Sequence, residues 1–411
     1  MQNTMPFYID VCGAGLDRWS KVPSTMYSKK MSAEIVLPVS LGEALDKLTI
    51  LDIKMRKIGD ERSADVKVEY DALLEKLQEY VTRYDYHYRI LKIVNEAIWD
   101  IQERFHGAGT SAEEGAVLCR NILLENDRRF RVKAKINTLA NSVLREQKGY
   151  AKKKALVYSH LGLGDMFWMN GAVRYLATAY DEVQVVCKNR NAKNVAAMYS
   201  DDPSIKLLLI DDDIELYPWP QKSQYFSEQG FTIYSCGQHA LRPDRAIYDL
   251  PHSFYDDMAI PRSVRTQYFH IRRTTAAKAL RARFGSIPYI VVHEESSTQK
   301  LRIGKQLLEQ GEKRLILDLN KNTYGLAHGW WAAADKIAGL PLLDYTDLIE
   351  GAEELHMIES SIYCMASHLD LSGVKRKVCY EPWGENAERL GVFETGTILS
   401  SVNANANANA K

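Results

Sequence analysis

Four things are scarce in this 411-residue sequence: paired cysteines, long apolar runs, net charge and complete nucleotide-binding glycine motifs. The six cysteines (12, 119, 187, 236, 364 and 379) include no Cys-x-x-Cys pair. That spacing argues against a zinc knuckle or a disulfide framework and suits reduced thiols, so a cytoplasmic location is expected. No run approaches the roughly 20 apolar residues of a membrane span, so membrane contact is expected to be peripheral at most. The opening "MQNTMPFYIDVCGAG" has no basic stretch followed by an apolar one, so no secretory signal is expected. Lys+Arg and Asp+Glu stand at 53 each. Overall charge therefore offers no pull toward nucleic acid, and none is expected as a partner. What remains is ordinary for a folded protein in water: 46% apolar and 26% charged residues, at a length that calls for two or three domains.

The familiar nucleotide motifs are also absent. There is no GxxxxGK[ST], which excludes a P-loop ATPase. The stretch "SHLGLGDMFWMNG" has Gly162 and Gly164 but lacks the third glycine of a dinucleotide site, because Gly171 comes too late. The next strand ends in "CKNRN", without the acidic residue that grips an NAD ribose.

From about residue 36 to 150 the periodicity is helical. Leu41, Leu45, Leu48, Leu51, Met55 and Ile58 recur at three- and four-residue steps, and Ser40 with Glu43 forms a capping-box pattern. Further runs cover Val66 to Val81, "YHYRILKIVNEAIWDIQERF" and "AVLCRNILLENDRRFRVKAKINTLANSVLREQ", the last rich in Arg and Lys. The expectation is a helical bundle. Trp99, Asn126, Asp127 and Asn137 either cap and link its helices or form a polar site. The basic last helix is either a solvated face or a grip for the acceptor or a partner enzyme. The segments "VSLGEALDKLTILDIKMRKIGD", "VNEAIWDIQERF" and "ENDRRFRVKAKIN" resemble the signature segments of the DUF6165 family, which implies an established helical module and no particular chemistry.

After Lys154 the pattern changes to short apolar strands alternating with helices, which predicts parallel sheets. "ALVYSH", "EVQVVCK", "IKLLLIDDD" and "FTIYSCG" read as strands of one half; "YIVVHEES", "KRLILDL", "ELHMIES" and "KRKVCYEP" read as strands of a second. The division expected is an extension (1–35), a helical domain (36–150), two Rossmann-type domains (151–270 and 271–395) and a low-complexity tail (396–411).

Three places at strand ends carry chemistry. Gly162 and Gly164 allow a close approach of a phosphate to a helix start, or serve packing alone. Asp165 stands at that helix start and is either a dipole-matched cap or a general base for an acceptor hydroxyl; His160, ending the strand, is a second candidate. In the second half, His293, Glu294, Ser296, Ser297, Lys300 and Arg302 combine hydroxyls and cations suited to phosphate oxygens. His356, Glu359, Ser360 and Ser361 repeat that logic at the next junction. Each also reads as a capped strand–helix junction. Asp211 and Asp213 in "LLIDDD" offer an alternative: a metal-dependent, single-domain GT-A-like transferase, in which these carboxylates hold a divalent cation, or a solvated loop.

The segments "HLGLGDMFWMNGAVRYLATAYDEVQVVCKNRNAKNVAAMYSDDPSI", "VVHEESS" and "LIEGAEELHMIESSIYC" resemble a group of GT-B-type glycosyltransferases of bacteria and large DNA viruses, and the Gly-Asp turn is similar to that of bacterial heptosyltransferases. The resemblance spans roughly residues 155 to 385. It implies an α/β fold, a GT-B-like pair of Rossmann-type domains preceded by the all-α domain. It also implies a nucleotide-sugar donor, a glycan or glycolipid acceptor, inversion by direct displacement, no metal or other cofactor, and Asp165 as the base. Where relatives carry Ser-Arg-Gly after "HEESS", this chain reads "STQK": either Lys300 substitutes or donor binding is weakened. A protein that binds sugar nucleotides or glycans without turnover is the competing expectation.

Overall fold

The computed structural model describes residues 37–107, 109–149, 151–159, 162–212, 215, 219–237, 250–297, 299–320, 337–380 and 392–396. The expected extension, the tail beyond residue 396, His160 and Asp213 lie outside the described residues, and residue 396 itself ends a strand.

Helices α1 (Leu41–Lys57), α2 (Arg62–Arg83), α3 (Asp85–His106) and α4 (Ala112–Leu139) form the helical part. Leu45, Leu48, Ile90, Leu91, Val132 and Ile136 are buried between them, at the spacing that puts one apolar stripe on each helix. Ser40 caps α1 by accepting from the Glu43 amide. Only that half of the capping box is seen in side-chain contacts, because the Glu43 carboxylate accepts from Lys133 at 2.7 Å instead. Gly42 allows α1 to approach α4 closely: a Cβ there would lie 2.6 Å from the Lys133 carbonyl oxygen. The sequence pattern extends α4 past residue 140, but the helix stops at Leu139. Asn141 adopts φ 50°, and the Ser142 and Asn141 amides donate back to the Asn137 and Thr138 carbonyls. This left-handed closure satisfies the last carbonyls and turns the chain away.

The basic face of α4 turns inward. Arg129 Nε donates to both Asp46 oxygens at 2.9 Å, and Asn95 joins Asp46 to Thr49. Lys135 reaches Asp202 at 2.6 Å and the Ala177 carbonyl at 2.8 Å, while Arg131 reaches Asp181 at 3.1 Å. Trp99 donates to Glu103, Asn126 to the Ile122 carbonyl, and Asn137 accepts from the Gly42 amide. Asn137 therefore links α1 to α4, Trp99 and Asn126 bond within their own helices, and much of α4's charge is spent on intramolecular partners.

The rest is α/β. Strands β1 (Lys154–Tyr158), β2 (Glu182–Lys188), β3 (Ile205–Ile210) and β4 (Phe231–Ser235) form a parallel sheet in the order β3-β2-β1-β4. Its helices are α5 (Leu163–Trp168), α6 (Asn170–Ala179), α7 (Ala192–Met198) and α8 (Trp219–Glu228). Then come α9 (Leu250–Asp257), α10 (Val264–Gln267) and α11 (Thr275–Ala282). The second parallel sheet has β5 (Tyr289–His293), β6 (Leu315–Asp318), β7 (Glu354–Ile358), β8 (Arg376–Tyr380) and β9 (Glu394–Gly396) in the order β6-β5-β7-β8-β9. Helices α12 (Ile303–Glu309), α13 (Thr346–Glu350) and α14 (Ser361–Ala366) accompany it. The first sheet has the strand order of half a Rossmann fold and the second that of a flavodoxin-like sheet.

One apolar core runs from Leu45 in α1 through Val157 in β1 to Val291 in β5, and a second, containing Ile290, Val292 and Val378, covers the other face of the second sheet. The boundary drawn near 150 thus divides the helices from the first sheet and that near 270 divides the two sheets, while one apolar core crosses both.

Candidate functional site

Parallel sheets place ligands beyond the carboxyl ends of the strands where the strand order reverses. In the first sheet that point lies between β1 and β4; in the second, between β5 and β7. The residues that follow these strands build the site.

After β1, Gly162 is the N-cap of α5, with φ −70° and ψ 147°. Neither Gly162 nor Gly164 uses a positive φ. Space demands them instead. A Cβ on Gly162 would lie 2.6 Å from Asp165 Oδ2, so the carboxylate folds back over its own N-cap. A Cβ on Gly164 would lie 2.9 Å from Cys364 Sγ and 3.7 Å from Ser361 Cα, so α5 abuts α14 of the other sheet. Burial pushes the Asp165 carboxyl up to about 7, opposed by the Gly162 amide that donates to it. The residue nevertheless keeps partial solvent exposure. It is thus closely surrounded yet reachable by water. The charge of Asp165 is felt by both Cys236, following β4, and Cys364 in α14, which places it at the reversal point of its sheet and against the opposite half.

After β5 and β7, the His293 ring nitrogen Nδ1 lies 3.1 Å from Ser360 Oγ. Ser360 caps α14 by accepting from the Tyr363 amide. Burial lowers the His293 pKa to about 4, so at neutral pH the ring is an uncharged hydrogen-bonding group. Ser361 and Glu359 flank this pair and remain partly accessible.

The other expected site residues divide. Glu294 is buried, its carboxyl pushed up to about 7 by burial, and it accepts from the Gly304 amide at 2.8 Å. It therefore occupies the start of α12 that a phosphate would otherwise take. Ser296 closes a tight turn with Gln299, Ser297 is exposed, and Lys300 pairs with Glu295 at 2.6 Å. Arg302 is exposed beside α12. His356 is not brought to the cluster: it lies on the opposite face of the second sheet, between Tyr380 at 2.9 Å and Glu354 at 3.1 Å. Alternation decides this, since Leu355 and Met357 face the first core while His356 and Ile358 face the second.

Asp211 is contacted by Asn189, and the Asp212 amide donates to Glu215 at 2.9 Å. Among the described residues no group of three His, Cys, Asp or Glu side chains is placed to hold a metal.

Several residues at the seam were not evident beforehand. Asn320, after β6, accepts from the Glu294 and Glu295 amides and donates to the Glu295 carbonyl, stitching the β5 loop down. His368 stacks on Phe269 at 4.2 Å and packs against Trp168, while Arg265 lies 3.4 Å from it. Only "SLGE"-type local signals are readable in a sequence; the Asn320 bonds span 25 or 26 positions and the Arg265–His368 contact spans 103.

Fold and site together define a two-sheet, Rossmann-type α/β protein with an all-α part on its amino side. Residues 35–160 match a family of unknown function, DUF6165, and the match runs through β1. No curated protein matches the chain. Solved structures that resemble it include glycosyltransferases. One is the dodecameric iron-containing glycosyltransferase TibC of enterotoxigenic E. coli, with 14% identity and TM-score 0.34, covering 58% of this chain and 60% of that one. Another is the family 9 glycosyl transferase of Veillonella parvula, with 10% identity and TM-score 0.37, covering 62% and 88%. A third is E. coli heptosyltransferase WaaC bound to an ADP-heptose analogue, with 10% identity and TM-score 0.31, covering 60% and 92%. This chain spans 60% of the length of TibC. Likenesses at these scores decide nothing about activity. Among the described residues no helix is long and apolar enough to cross a membrane.

Proposed function

We propose that the chain is a glycosyltransferase that moves a sugar from a nucleotide-sugar donor to a hydroxyl of a glycan or glycolipid, by direct inverting displacement without a metal. The carrying observation is Asp165: a carboxyl pushed to about 7, at one reversal point and next in sequence to Gly164, which packs against the helix that starts at the other. A base with that pKa accepts a proton efficiently near neutral pH. In the proposed step the acceptor hydroxyl loses its proton to Asp165 as its oxygen attacks the anomeric carbon. The bond from that carbon to the diphosphate breaks, and the electron pair leaves on the diphosphate. Hydrogen bonding from the Ser360 and Ser361 region, with Ser360 held by His293, would stabilise the leaving group. Lys300 is tied to Glu295, so Arg302 is the better placed of the two cations to meet a phosphate.

A second reading has its own observation. Asp165 folds back over the N-cap of α5, which is what a purely structural cap does. A non-catalytic sugar-nucleotide or glycan-binding protein would need nothing more. The Asp165→Asn variant separates the two when nucleotide release and donor binding are both followed across UDP-, GDP-, ADP- and CMP-sugars. Loss of transfer with binding intact supports the base. Full transfer in the variant removes it, and binding without turnover in the unmodified protein leaves the second reading.

A further inference from the structure

A cavity of about 640 Å³ lies between α4, the segment leading to β1 and the amino ends of the first sheet's strands. Its wall includes Lys152 and Lys153 just before β1, Asp181 just before β2 and Ser204 just before β3. Asp165 follows the opposite end of β1. Five residues at about 3.3 Å each separate the two ends by roughly 16 Å, so this is a different place from the cleft.

Its charge is one-sided once existing pairs are removed. Arg131 is held by Asp181, Lys135 by Asp202 and Lys148 by Asp127. The Glu146 carboxylate is committed to Lys133 at 3.0 Å. Arg145, Lys152 and Lys153 then have no carboxylate partner among the described residues, although all three line the cavity. Three uncompensated cations around one recess attract a small multivalent anion. The Tyr180 ring, Ala134 and Pro203 add a less polar wall that an anion alone would leave uncovered. The volume suits a ligand of sugar-phosphate to nucleotide size.

We propose that this cavity binds a phosphomonoester carried on a sugar-sized body, its phosphate on Arg145, Lys152 and Lys153 and its body against Tyr180. The proposal does not depend on the transfer reading. Lys152 and Lys153 are exposed, so reversing their charge leaves the core untouched.

The test is calorimetric titration of the full chain with ribose 5-phosphate and with inorganic phosphate at fixed ionic strength. The expected result is saturable binding of ribose 5-phosphate, tighter than inorganic phosphate. It should weaken at least tenfold in Lys152→Glu/Lys153→Glu and in Arg145→Glu, and stay unchanged in Ser360→Ala. Unliganded melting temperatures establish that each variant is folded. The proposal is overturned by absence of saturable binding, by equal affinity for inorganic phosphate, by unchanged binding in the charge-reversal variants, or by loss in Ser360→Ala, which would place the ligand in the cleft.

Discussion

His293 Nδ1 and Ser360 Oγ lie 3.1 Å apart although 67 residues separate them, and the contact ties together the ends of β5 and β7 where the strand order of the second sheet reverses. An uncharged imidazole cannot attract a diphosphate by charge, but it can fix the orientation of a serine. Under the proposed function, His293→Ala is expected to weaken nucleotide-sugar binding several-fold, with His293→Asn weakening it less because a side-chain hydrogen bond is retained. Equal affinities for all three proteins, measured by calorimetry, would remove His293 from donor binding.

The rate of transfer is expected to rise with pH through about 7, because only the ionised Asp165 accepts a proton. A profile of kcat/KM between about pH 5 and pH 9 checks this. A flat profile would assign the base elsewhere.

The same carboxyl makes a stability prediction that requires no substrate. Its pKa is raised on folding, from about 3.8 to about 7, so between those values the folded state holds the proton more tightly than the unfolded chain. Its contribution to stability is present at low pH and is lost as pH rises toward about 7. Asp165→Asn removes the buried charge. The variant is expected to melt higher than the unmodified protein above pH 7, with the difference shrinking toward pH 5; thermal denaturation at the two pH values measures it. A constant difference would mean that the carboxyl is not perturbed.

Gly164→Ala is expected to destabilise the protein by about 1–3 kcal/mol, since the added methyl would sit 2.9 Å from Cys364 Sγ. Cys364→Ala in the same chain opens that space, so the double variant should lose less than the sum of the single ones. Additive losses in a denaturant cycle would show that α5 and α14 do not press on each other there.

Lys135 and Asp202 are both buried, and against its desolvation the lysine draws the Asp202 carboxyl down to about 2. Lys135→Met leaves that charge without its partner and is expected to cost about 3–5 kcal/mol. Because Asp202 lies in the first α/β half and Lys135 in α4, the loss should loosen the helical part against the sheet, which hydrogen exchange in α4 would report.

Much of the architecture was legible locally. The three- and four-residue steps from Leu41 to Ile58 and the apolar runs at Ala155, Val183 and Tyr289 each carry their own period, and each became the expected element. Short or closing features were less visible. The six-residue helix α5 begins directly after Gly162, and α4 ends at Leu139 because Asn141 takes a left-handed conformation, a choice its neighbours do not announce.

By itself, then, the sequence determined the helical part, the alternation of strands and helices, and which residues follow the strand ends, because periodicity and capping act over a few residues. Only the tertiary structure decided which of those residues meet. It set His293 against Ser360, pressed Gly164 onto Cys364, turned His356 to the far face of its sheet, and folded the basic side of α4 onto Asp46, Asp181 and Asp202. Strand order and side-chain pairing depend on contacts between distant positions, which compete for partners only once the chain is packed.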